Sequence, residues 1–142
     1  MDIFSKMIYL HIDKIKEKWA SENIKVSPPA TSESIKAAEK MMDFQFPDDF
    51  KEFYLKMDGF ADWDWTKNMF SIWPLVRILE EYHNENDKNF IVLADYLINA
   101  HHIGFVKGKN GIFKNTDEIP VKIADTFSEA IFLIHTDADI LY

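Results

Sequence analysis

The hydrophobic period of this chain changes partway along it, and that change restricts the fold more than any other feature. Through Gly59 the apolar residues recur at helical spacing; from Phe90 onward they alternate or run in short blocks, as in strands. Phe4, Met7, Ile8, His11, Ile12, Ile15 and Trp19 share one face, with Lys6, Asp13, Lys14 and Glu17 outside it, which predicts an amphipathic helix over residues 2–19. A polar loop with Pro28 and Pro29 follows. Thr31 or Ser32 then caps a second helix whose inner face is Ile35, Ala38 and Met42. In FPDDFKEFYLKMDGF, Pro47 suits the first helical position, and Asp48 and Asp49 meet the positive end of the helix dipole. Phe50, Phe53, Tyr54 and Met57 complete an apolar stripe, and Gly59 offers a left-handed stop, so a third helix is expected over residues 47–58.

The texture then alters. Residues 69–73 read as a strand, and Pro74 opens a helix in LVRILEEYHNEND. FIVLAD, YLINAHHIGFVKG, GIFKN and EIPVKIA read as strands, with Lys109-Asn110-Gly111 as a tight primed turn. A last helix starts near Asp125 or Thr126, with Phe127, Ala130, Ile131 and Ile134 inward. Helices, then a meander, then a closing helix predict one α+β domain over residues 1–142, its mostly antiparallel sheet packed by helices 47–58 and 126–136.

Chemistry is sparse. The chain has no Cys, which removes disulfides, thiol catalysis and Cys-rich zinc sites. Adjacent His101 and His102 in a strand point to opposite faces and cannot converge on one metal or substrate. His11, His83 and His135 have no ligand spacing. A calcium loop starting at Asp62 would place Lys67 where Gly belongs and Trp73 where Glu belongs. No phosphate-binding loop or nucleophile elbow occurs. The expectation is therefore a protein without catalytic residues, metal or cofactor. The alternative, a small hydrolase built on acids that meet only in space near His102, ranks lowest.

Charge supplies a surface argument. A net charge of −8 disfavours nucleic acid and anionic membranes and favours a basic protein partner. The N-terminus lacks a signal-peptide apolar run and carries Asp2 early, so a cytoplasmic address is expected. Asp43, Asp48, Asp49, Glu52, Asp58, Asp62 and Asp64 face only Lys51 and Lys56 in their segment, and the sequence WDW lies among them. Acids around aromatic anchors are the composition of an interface for a basic partner. Asp48, Asp49, Glu52, Asp58, Asp62, Trp63, Asp64 and Trp65 are the candidate partner-binding residues, unless both Trp side chains belong to the core. A second acidic block, residues 117–139, is expected to extend this surface or to replace it.

The order of these pieces resembles the SUKH superfamily, which includes yeast cell-wall regulators and many bacterial immunity proteins. The resemblance rests on Glu39, the Phe46-Pro47 pair, the aromatic helix ending at Met57, and Asp58-Gly59. It continues through Trp73-Pro74-Leu75, ADYLINAHHIGF, the GIF strand at 111–113 and IADTFSEAIFLI, spanning residues 30–136 and leaving the first helix outside. It implies an immunity protein that neutralises a cognate toxin, often a nuclease, or else a regulatory adaptor of the yeast type.

Overall fold

The computed structural model describes residues 3–115, 119–136 and 139–142, with side chains from residue 12 on. Asp2, Asp117, Glu118 and Asp137, and the side chains of Phe4, Met7, Ile8 and His11, lie outside what is described. Helices α1 (Ile3–Ser21), α2 (Ser32–Met42) and α3 (Asp48–Tyr54) lead to a short 3₁₀ turn, Ala61–Trp63. Then come β1 (Phe70–Ile72), α4 (Leu75–Asn84), β2 (Phe90–Tyr96), β3 (His101–Val106), β4 (Ile112–Asn115), β5 (Val121–Ala124) and α5 (Phe127–Thr136). The strands form one antiparallel meander in chain order, so the fold is α+β as the period change predicts.

Aromatic stacking fixes how α3 sits. Phe50 stacks on Phe46 at 4.0 Å and on Tyr54 at 4.1 Å, and its ring also meets Phe105 of β3 and Phe127 of α5 edge-on. Glu39 of α2 accepts a 2.8 Å bond from the Phe46 N–H and lies 3.6 Å from Lys51 Nζ, tying α2 to α3. Helix α1 is part of the same core: its Trp19 is buried against Phe53, Phe60 and His135. Thr31 caps α2 through a reciprocal box with Ser34.

Four local expectations are revised. Pro47 is the N-cap of α3, in extended conformation, and not its first helical residue. Helix α3 ends at Tyr54, short of Gly59, because the Tyr54 carbonyl accepts Ala30 N–H and the chain then binds back on Pro28 through Asp58 N–H. YLINAHHIGFVKG is not one strand. Leu97, Ile98 and Asn99 all adopt positive φ (52°, 52° and 67°), a left-handed turn between β2 and β3. The Asn110-Gly111 pair lies in a longer connection, with Gly108 and Gly111 both at positive φ, and is not a two-residue hairpin turn.

Candidate functional site

The segment after α3 builds an exposed corner. Gly59, at φ 64°, passes so close to Trp73 that an added Cβ would meet that residue's carbonyl carbon and oxygen at 2.5 Å. The chain then bridges Val26 through Phe60 and enters the 3₁₀ turn, where Asp62 and Trp63 take φ of 55° and 59°. Asp64 locks the exit: its carboxylate accepts Lys25 N–H at 2.8 Å and Trp65 N–H at 2.9 Å, while its carbonyl accepts Ser71 Oγ–H at 2.6 Å. Both Trp side chains of WDW face solvent, Trp63 with 59% and Trp65 with 46% of its surface exposed. They are not core.

Behind them lies a buried ion pair whose partners no local sequence pattern joins. Arg77 of α4 is 6% exposed and Asp95 of β2 3%. Its guanidinium sits between two indoles, 3.9 Å from the Trp63 ring centroid and 4.0 Å from that of Trp73. Asp95 lies 3.6 Å from the Arg77 NH2 group, accepts Trp73 Nε1–H at 3.2 Å, and accepts Asn99 N–H at 2.9 Å. The last bond, with Leu97 N–H donating to Met69 O, holds the left-handed turn in place. Burial draws the Arg77 guanidinium below its usual range, and Asp95 opposes that. Tyr54, its hydroxyl donating to Trp73 O at 2.6 Å, extends this chain of contacts into the core; burial, and then Asp58, hold the phenol well above its usual value.

Trp63, Trp65, Met69, Ser71, Arg77, Asp95, Ile98 and Asn99 line a small, partly open pocket of about 80 Å³. Trp63 and Arg77 also line an open cleft of about 550 Å³ with Pro28, Pro29, Asp58 and Val76. Trp63, Met69, Ile98 and Asn99 all have positive φ. Left-handed backbone is strained for Trp63, Met69 and, above all, β-branched Ile98, and strain of this kind gathers at functional sites.

The candidate acids divide between two places. Asp62 pairs with Lys25 at 3.3 Å in solvent, and Asp64 is the lock just described. Asp58 Oδ1 accepts Leu75 N–H at 2.8 Å and so caps α4; burial raises its carboxyl, with that bond opposing. Asp48, Asp49 and Glu52 instead border a separate open groove of about 600 Å³ with Asp125, Thr126 and Asn110. Asp49 there accepts Ser128 N–H at 2.8 Å, joining α3 to α5. The two histidines stand on opposite faces: His101 stacks on Tyr96, and His102 meets Trp73 edge-on. Among the described residues, no three His, Asp or Glu side chains are grouped to hold a metal, and no helix is long and apolar enough to cross a membrane.

The family model described as SMI1 / KNR4 family (SUKH-1) matches residues 29–132. No curated protein gives a match.

Proposed function

The chain belongs to the SMI1/KNR4 family (SUKH-1), and from that premise we propose that it is an immunity protein, binding a cognate toxin domain encoded beside it and covering that domain's working surface. Members of the family are generally non-catalytic, which directs attention to surfaces and away from reaction centres. The observation that carries the reading is the Trp63–Trp65 corner: two large exposed rings, Trp63 stacked on the buried Arg77 of the Arg77–Asp95 pair and Trp65 lining the same pocket. Interfaces concentrate their energy in a few aromatic anchors of this kind. Asp62 beside them, and a net charge of −8 overall, suit a basic partner such as a nuclease, whose own site must attract phosphate. Asp48, Asp49 and Glu52, on the separate groove, serve in this reading as long-range steering charges.

The test is direct. The purified chain is mixed with the toxin domain encoded by the neighbouring gene, and complex formation and toxin activity are measured together. A stoichiometric complex with loss of toxin activity is expected. Absence of a complex, with capture of host regulatory proteins instead, would replace immunity with the adaptor role.

A further inference from the structure

The small cavity at the Trp corner has a polar end that protein docking in general does not require. Arg77 carries five N–H donors on its guanidinium. One terminal nitrogen pairs with Asp95 at 3.6 Å, and the buried Nε has no partner among the described residues. A buried N–H left without an acceptor is costly. Asp95 in turn uses one acceptor position on each oxygen, for Trp73 Nε1–H and Asn99 N–H, although a carboxylate offers about four. Both groups line a pocket whose remaining walls are Trp63, Trp65, Met69, Ile98, Asn99 and Ser71, the last with its hydroxyl donated to the Asp64 carbonyl.

The chemistry of an occupant follows from these lone donors and acceptors. It must accept from Arg77 and donate to Asp95. It should also be neutral. Arg77 and Asp95 already balance each other, and Asp58 and Asp62 line the adjoining cleft that shares Trp63 and Arg77, so a carboxylate would be repelled. An ammonium group would bring a second cation beside buried Arg77 and offers it no acceptor. A space of about 80 Å³ suits the end of one side chain better than a through-running backbone. Building on the reading of this corner as the partner interface, we propose that the cavity receives the side-chain carboxamide of an Asn or Gln on the partner protein. The acidic rim steers the basic partner in, and the cavity then fixes its register.

The experiment uses the free chain and small probes, so it reads the cavity whether or not a toxin domain is captured. Propionamide, propionate, propylammonium and N-methylacetamide are titrated while the Arg77 side-chain N–H and Trp63 and Trp65 indole N–H signals are followed by NMR. Propionamide should shift all three saturably, and the other three probes should bind at least tenfold more weakly. Trp65→Ala, at an exposed position that spares the core, should weaken the propionamide response at least tenfold. A flat propionamide titration overturns the proposal, as does an equal response to propionate. Equal or stronger binding of N-methylacetamide overturns it in favour of main-chain recognition. A propionamide response that survives Trp65→Ala places the amide elsewhere and also overturns it.

Discussion

Truncation of Trp65 to Ala removes anchoring ring surface while leaving the core intact, because that ring is half in solvent already. Capture of the toxin domain should weaken by about 2 kcal/mol or more, roughly thirtyfold, with little change in the melting of the free protein. Asp62→Lys should act differently. It breaks an exposed pair with Lys25 worth about 0–1 kcal/mol, and its effect should appear as slower association with a weaker salt dependence. Calorimetry and stopped-flow mixing separate the two; equal loss in both would mean that the corner is not the anchor. Asp64→Lys is a poor probe, since that carboxylate holds two main-chain N–H groups. At this scale the sequence displayed WDW and its acids plainly. Whether the rings were buried depended on Arg77 and Asp95, one on a helix and one on a strand, and no local pattern joins them.

The turn between β2 and β3 sets three consecutive non-glycine residues, Leu97, Ile98 and Asn99, at positive φ. Gly at a positive-φ position relieves strain that a β-branched residue cannot avoid. Ile98→Gly should therefore stabilise the fold by about 1 kcal/mol in denaturant unfolding, while weakening toxin capture through loss of a cavity wall. If stability and capture fell together, the turn would be structural and nothing more. The helices were legible because their apolar faces repeat over several turns, as Ile35, Ala38 and Met42 do in α2. This turn was not legible: Leu97 and Ile98 are ordinary strand residues, and Asn99 alone tolerates left-handed backbone well. Its conformation is imposed from outside by Asp95 and Met69.

The whole molecule is closed by α1, which lies outside the family match yet lays Trp19 against His135 of α5. Burial lowers the His135 imidazole below its ordinary value, Lys18 adds to this, and Glu22 opposes it. The neutral ring is thus the one the folded state prefers. Its contribution is complete above the unfolded pKa of about 6.5 and is lost as pH falls through the lowered folded value. Thermal melts should show stability declining as pH falls below about 6.5, with His135→Phe, which keeps a ring against Trp19, flattening that decline. An unchanged slope in the variant would assign the pH dependence to other groups.

The four tryptophans are divided evenly, Trp19 and Trp73 sealed inside and Trp63 and Trp65 open to water. Indole emission shifts to shorter wavelength when water leaves the ring. The inner pair is already dry, so only the outer pair can change colour when something settles on the corner. The chain therefore carries its own optical gauge of occupancy, with a constant reference signal from the rings inside.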